Sequence, residues 1–219
     1  MERKKTFLFL VRHGETEWNL KKRYQGQTEI RLNARGRRQA RLTARRLAGI
    51  AFHAVYSSDL SRAKECAEIL AKSHGLEVKA LAALRERNFG KLEGLTREEA
   101  KRRRWWKRIE ESDGFAAAPA GETRLQMRQR VIRCMNEIIA RHEGQKVLIV
   151  THGGPISQMV CDFLGVSARK QANMRLDNCS LSVIRISGEH RTLMLLNDVG
   201  HLYPKAAVGA MAAMKKVLR

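Results

Sequence analysis

Thr6-Phe7-Leu8-Phe9-Leu10-Val11-Arg12-His13-Gly14 is the stretch on which the fold turns. Five consecutive apolar residues, Phe7 to Val11, bounded by charge and glycine, suit a strand covered on both faces. A second stretch, Lys146-Val147-Leu148-Ile149-Val150-Thr151-His152-Gly153-Gly154, repeats that design late in the chain. In open α/β sheets, ligands sit outside the carboxyl ends of the strands. His13 and His152 are therefore expected to converge, although 139 positions separate them.

Outward from these two strands, helical and extended patterns alternate. Ala40, Ala44, Leu47 and Ala48 recur at helical spacing, with Arg37, Arg38, Arg41 and Arg45 on the other side. A polar loop is expected between the first strand and that helix, to about Asn33, and a short strand around 54–56 after it. Ser57, Ser58 and Asp59 then offer capping oxygens to a helix whose apolar face is Leu60, Ala63, Ala67, Leu70 and Ala71. Another short strand is expected near 77–80, an irregular stretch over 84–95, a basic helix over 96–112, and a loop from Gly114 to Gly121. A long helix over about 122–141, closed by Gly144, precedes the second strand. A helix over 156–164 and strands near 181–186 and 192–195 complete the pattern. The alternation predicts an α/β sandwich with a mainly parallel central sheet.

The chain has 219 residues, which matches a single domain, since ~100–200 residues per domain is usual. Its hydrophobic content of 43% and its three prolines exclude a disordered tail or a linker. A net charge of +21 invites anionic partners: nucleic acid, acidic lipid or phosphorylated metabolites. Cys66, Cys134, Cys161 and Cys179 form no CxxC pair, so neither a zinc ribbon nor a dithiol redox site is supported. Such isolated thiols fit a reducing cytoplasm. The five-residue apolar run near the start is too short for a signal peptide or a membrane span, which need about 7–15 and about 20 residues.

Arg12 precedes the first histidine, and Arg62 falls in the first turn of the helix after the strand at 54–56. Two guanidinium forks and two imidazoles around one cavity describe a receptor for a tetrahedral dianion. Cations beside His13 also lower its pKa and leave a ring lone pair free to attack. Glycines after each histidine let an anion approach backbone N–H groups, and a helix starting near Pro155 points its positive end at the same place. A proton donor for the leaving oxygen is still required. Glu86, in Arg85-Glu86-Arg87-Asn88-Phe89-Gly90, is the candidate.

Leu10-Val11-Arg12-His13-Gly14-Glu15-Thr16-Glu17-Trp18-Asn19 resembles the signature of the histidine phosphatase superfamily, in the branch that includes cofactor-dependent phosphoglycerate mutase. Four further segments agree in order: Arg23-Tyr24-Gln25-Gly26 through Gly36, Tyr56-Ser57-Ser58-Asp59-Leu60-Ser61-Arg62-Ala63, Leu84-Arg85-Glu86 with Glu93-Gly94, and Thr151-His152-Gly153-Gly154. The resemblance spans residues 6 to 202. It implies a three-layer α/β/α, phosphoglycerate mutase-like sandwich in one domain over 1–219, with a small cap-like region around 88–120. It further implies that His13 becomes a phosphohistidine while Arg12, Arg62 and His152 hold the phosphoryl oxygens. Asn19 and the Gly153 N–H would help, Thr16, Gln25 and Gly26 would line the substrate side, and Glu86 would serve as acid and then base. Neither metal nor cofactor is implied, because the arginines carry the positive charge.

The mutases of the family resemble one another in a long insertion after the acid/base glutamate. Here only 66 positions separate Glu86 from His152, and Phe89 stands where the mutase pattern has tyrosine. A phosphatase acting on small phosphate monoesters is therefore the leading expectation. A phosphoglycerate mutase comes second, and a basic anion- or nucleic-acid-binding protein without turnover is the alternative of another class. The expected partner is a small phosphorylated metabolite rather than a membrane or nucleic acid, and a homo-oligomer stays open. Arg102-Arg103-Arg104-Trp105-Trp106-Lys107-Arg108 mixes cations with aromatics as nucleic-acid binders do, and is read instead as a cap at the site's mouth. Cys179 to Arg185 formally fits the C-x5-R of cysteine phosphatases, but its interior reads as a strand without a glycine cradle.

Overall fold

In the computed structural model, which describes residues 4–112, 116–167 and 174–203, the opening apolar run forms β1 (Thr6–Arg12). It lies inside a six-stranded sheet, between β4 (Lys146–Thr151) and β5 (Leu181–Ser187). The remaining strands are β2 (Ala54–Ser57), β3 (Val78–Ala80) and β6 (His190–Asp198), in the order β3-β2-β4-β1-β5-β6. β1, β2, β3 and β4 are mutually parallel, and only the β5 pairings are antiparallel. The mainly parallel sheet expected from the alternation is therefore present, with a hairpin at one edge. Val11 pairs with Val150 and Arg12 with Thr151. The next residues, His13 and His152, consequently leave the sheet side by side.

Both faces of the sheet are covered. Leu8, Leu10, Val147 and Ile149 pack against α6 (Arg124–Arg141) and α7 (Gly153–Phe163). Phe9, Val11, Leu148 and Val150 belong to the opposite cluster, beneath α2 (Ala34–Leu47) and α3 (Ser61–Ala71). Alternate residues of one strand thus enter two different cores, which is why the run is apolar throughout instead of alternating. A satellite core of Leu92, Ala100, Trp106 and Ala118, flanked by Tyr24, Phe89 and Trp105, organises the segment after Glu86.

Several local expectations are corrected. The polar stretch after His13 contains a short helix, α1 (Glu17–Leu20), started by a reciprocal Thr16–Asn19 capping box. The basic helix expected over 96–112 is two pieces, α4 (Arg97–Lys101) and α5 (Trp106–Glu111). Ala100 and Trp106 both face the satellite core, whereas on one continuous helix they would point about 120° apart. The N-cap of α3 is Leu60, which brings no capping side chain; of the three expected caps only Ser58 bonds there, its Oγ accepting the Leu60 N–H at 3.3 Å, while Asp59 pairs with Arg85 at 2.6 and 2.7 Å. Helix α7 begins at Gly153, directly after His152 and earlier than the expected residue 156. The expected loop from Gly114 to Gly121 is described only from Ala116 onward, its first two residues lying outside the described residues.

Candidate active site

His13 is buried, and its Nδ1 lies 2.7 Å from the Gly14 carbonyl oxygen. A carbonyl only accepts, so Nδ1 carries the proton and Nε2 keeps its lone pair. The His13 and His152 rings stand edge to face, with centroids 5.0 Å apart. Both imidazoles are held well below the ordinary histidine pKa. Burial is the leading cause for each; the Arg62 and Arg12 guanidiniums add to it, and for His152 so does His13. The expectation of a lowered His13 pKa holds, with burial ahead of the cations.

The two arginines come from different elements and are aimed by backbone carbonyls. Arg12, the last residue of β1, donates from Nη1 to Leu176 O at 2.5 Å. Arg62, fully buried in the first turn of α3, donates from Nη1 to Thr28 O at 2.9 Å and from Nη2 to Gly26 O at 2.5 Å. Burial pulls the Arg62 pKa down to about 10, which still leaves it cationic at neutral pH. Among the described residues, the Nε atoms of both arginines and both ring nitrogens of His152 are buried without a hydrogen-bond partner. Each such atom costs about 1–3 kcal/mol. The two guanidinium Nε–H groups and the single N–H of the neutral His152 ring are therefore three donors left for an oxygen-rich ligand near His13.

Glu86 reaches the same place from the irregular segment after β3. Its Oε2 accepts from the Gly154 N–H at 3.1 Å, and its Oε1 accepts from the Arg87 N–H at 2.8 Å. The Glu86 carboxyl group therefore sits at the N-terminus of α7, beside His152. The glycines around the histidines have different reasons from those expected. A Cβ on Gly154 would lie 2.1 Å from Glu86 Oε1, so this position makes room for the carboxylate. A Cβ on Gly14 would lie 2.5 Å from the Gly36 carbonyl oxygen, so that glycine lets two backbone segments cross. Only Gly153 faces a guanidinium, with Arg12 Nε 3.7 Å from its would-be Cβ.

The remaining expected contacts divide into two groups. Asn19 Oδ1 accepts from Asn178 Nδ2 at 3.3 Å, and Asn178 Nδ2 also donates to the His13 carbonyl at 3.0 Å. Asn19 is thus tied through Asn178 to the backbone of His13. Thr16 is fully buried, and its hydroxyl lies 3.0 Å from both Asn19 Oδ1 and Gln25 Oε1. Gln25 is buried beside it. Gly26 offers its carbonyl to Arg62, so it aims that arginine. Glu93 accepts from Gln27 N, Phe89 N and the Thr28 hydroxyl, and so holds the 26–28 loop from behind.

The segment before β5 also serves the site, although no sequence motif marks it. Leu176 O receives Arg12, Asn178 holds His13, and the Cys179 N–H donates to Arg12 O at 2.9 Å. Most of these contacts use backbone atoms, which leave no signature in residue identity. Cys179 turns its sulfur toward Cys66 at 3.9 Å, and burial pushes its pKa well up, so the C-x5-R match is chance. Trp106 is buried and donates to Glu110 at 3.0 Å, while Trp105 lines a groove with Lys91, Arg102, Arg103 and Arg104. Among the described residues no three His, Cys, Asp or Glu side chains group as a metal ligand set, and no helix is long and apolar enough to cross a membrane.

Residues 8–199 match the histidine phosphatase superfamily (branch 1). A Serratia proteamaculans protein named probable phosphoglycerate mutase GpmB is 37% identical over 180 residues, covering 80% of this chain and 82% of that protein. The alpha-ribazole phosphatase from Shigella flexneri aligns with a TM-score of 0.82 at 29% identity, covering 88% of this chain and 96% of that one. The phosphoserine phosphatase from Entamoeba histolytica, solved with 3-phosphoglyceric acid, aligns with a TM-score of 0.80 at 29% identity, covering 90% and 99%. Matching over nearly its whole described length, and with both histidines and both arginines gathered at the strand ends, the chain belongs to the histidine phosphatase superfamily, branch 1.

Proposed function

We propose that this protein is a phosphohistidine-forming phosphatase that hydrolyses small-molecule phosphate monoesters without a metal. The supporting observation is the free Nε2 of His13, set beside the unpartnered Nε atoms of Arg12 and Arg62 and the unpartnered ring of His152. In the first half-reaction His13 Nε2 attacks phosphorus while the P–O bond to the leaving group breaks. Glu86 gives its proton to the departing oxygen. The imidazole, now substituted at Nε2 and protonated at Nδ1, is cationic, and the Gly14 carbonyl stabilises that charge. Arg12, Arg62, His152 and the Gly153 N–H hold the three non-bridging oxygens, and Asn19 steadies the nucleophile's loop. In the second half-reaction water attacks phosphorus, Glu86 takes its proton, and phosphate leaves with neutral His13 restored. The guanidiniums supply the charge that a metal supplies in other phosphatases, and donors of this kind contribute about 3–4 kcal/mol each to the transition state.

Hydrolysis is favoured over mutase chemistry by the short path from Glu86 to His152. Part of that path is α6, which covers the sheet, and the described residues of 88–120 supply most of a small core of their own, around Leu92, Ala100, Trp106 and Ala118. We read that region as a small cap within one domain. Such a short cap leaves water a route to the phosphohistidine. Two of the similar structures are named phosphatases of small metabolites, whereas the GpmB relative supports the mutase as second reading.

Rapid-quench labelling with a phosphorylated substrate is expected to trap an acid-labile, alkali-stable adduct on His13. His13→Ala should lose it, together with at least ~10⁴-fold in turnover, while staying folded. Turnover of an aryl phosphate in excess chelator should persist. Absence of the adduct, or conversion of 3- to 2-phosphoglycerate outpacing hydrolysis, would overturn the phosphatase reading.

A further inference from the structure

Glu86 sits on an irregular segment, yet its backbone is held from α6 by one side chain. Arg130 Nη1 donates to the carbonyls of Ala83 at 2.9 Å and Arg85 at 2.8 Å. Its Nη2 donates to the Glu86 carbonyl at 2.8 Å and to Glu122 Oε1 at 2.5 Å, and its Nε donates to Glu122 Oε2 at 3.1 Å. A guanidinium has five N–H bonds, and all five are used here. Glu122 continues the clasp. Its Oε1 accepts from Asn88 N at 2.8 Å, its own N–H donates to Asn88 O at 2.9 Å, and its carbonyl accepts from Arg87 Nε at 2.9 Å. The chain is thereby gripped on both sides of Glu86, whose carboxyl then meets the Gly154 N–H.

We propose that Arg130 and Glu122 are a positioning pair for the leaving-group acid, holding the Glu86 carboxyl over the start of α7 without touching substrate. This rests on the reading of Glu86 as proton donor. Lysine cannot replace Arg130 fully, because it brings three donors from a single nitrogen where five diverging ones are used. A neutral side chain at 130 would take the guanidinium donor from the Ala83 and Arg85 carbonyls, leave the Glu86 carbonyl to Gln27 Nε2 and Glu122 Oε1 to the Asn88 N–H, and loosen the segment.

The leaving group separates this role from simple bracing. A 2,4-dinitrophenolate departs without needing a proton, whereas an alkoxide does not. The kcat/KM for each ester reports formation of the phosphohistidine. For Arg130→Ala and Glu122→Gln, kcat/KM on a simple alkyl phosphate should fall by about 10²-fold, the usual weight of general acid catalysis, and on 2,4-dinitrophenyl phosphate by less than about threefold. Arg130→Lys should fall between wild type and Arg130→Ala, and it serves as the decisive variant should alanine fail to fold. Glu86→Gln should show the same selectivity, and Glu86→Gln/Arg130→Ala should be no slower on the alkyl ester than Glu86→Gln alone. Equal losses on both esters in the Arg130 and Glu122 variants, with selectivity retained in Glu86→Gln, would overturn the positioning pair. Absence of selectivity in Glu86→Gln itself would instead overturn the acid assignment.

Discussion

His13 and His152 leave the ends of two paired strands whose register is set by buried apolar side chains, whereas Glu86 leaves an irregular segment held by hydrogen bonds. Leu8, Leu10, Val147 and Ile149 on one face, with Val11, Leu148 and Val150 on the other, are fully buried and allow the strands no slip. A one-residue slip would exchange the two faces. The segment leading into Glu86 adds the buried Leu84 and the partly buried Leu81 and Ala83 to the main core, but Glu86 itself is held by Arg130, Gln27 and the Gly154 N–H, with Glu122 gripping Asn88 beyond it. The comparison teaches that one site is built by two kinds of force. Non-directional packing sets the distance between the rings, and directional bonds set the aim of the carboxyl.

The two halves should therefore fail differently. Leu10→Ala removes packing beneath His13 and is expected to destabilise the fold by ~2–5 kcal/mol. Turnover per folded molecule should change little. Urea unfolding followed with activity measured well below the midpoint would check both, and a large loss of specific activity would blur the division. Gly154→Ala should do the reverse. Its methyl group collides with the movable end of Glu86, so the carboxyl swings away while the fold stands. Hydrolysis of an alkyl phosphate is expected to drop about 10²-fold with the melting temperature little changed. An unaffected rate would mean that the carboxyl does not need its place beside α7.

The smallest expected effect concerns acid. Both imidazoles are held neutral in the fold, well below their unfolded pKa near 6.5. Below that pH the unfolded chain binds protons that the folded chain refuses, so stability is full above about 6.5 and declines as pH falls. The decline is about 1.4 kcal/mol per pH unit for each such proton. Denaturant titrations at pH 7.5 and 5.5 should show it in the wild type, and His13→Ala should lose roughly one histidine's share less. An identical decline in both proteins would show that the His13 ring is not the group refusing the proton.

Legibility followed the same division. The continuous apolar runs and the His-Gly pairs that end them were enough to place β1, β4, His13 and His152, because strand burial and strand ends are local signals. Arg62 was readable from its place after β2, and Glu86 from the resemblance of Leu84-Arg85-Glu86 to a segment of the family. The break between α4 and α5 was not readable, since each piece is helical by itself and only the satellite core shows that Ala100 and Trp106 must face the same way. The Thr16–Asn19 capping box stood in plain sequence within a stretch read as loop. The reason for Gly154 required knowing that Glu86 approaches it from a distant segment.

Chain chemistry alone settled an α/β sandwich, two histidines at strand ends, and a cationic surround suited to phosphate. Folding decided which nitrogen of His13 is free, which glycines face a guanidinium or a carboxylate, and that Arg130 and Glu122 hold the segment bearing Glu86. The physical reason lies in what each interaction reads. Hydrophobic burial depends on side-chain type at a regular spacing, so it is written into the order of residues. A hydrogen bond to a backbone carbonyl accepts any residue that brings the carbonyl there, so it is decided only when distant segments meet.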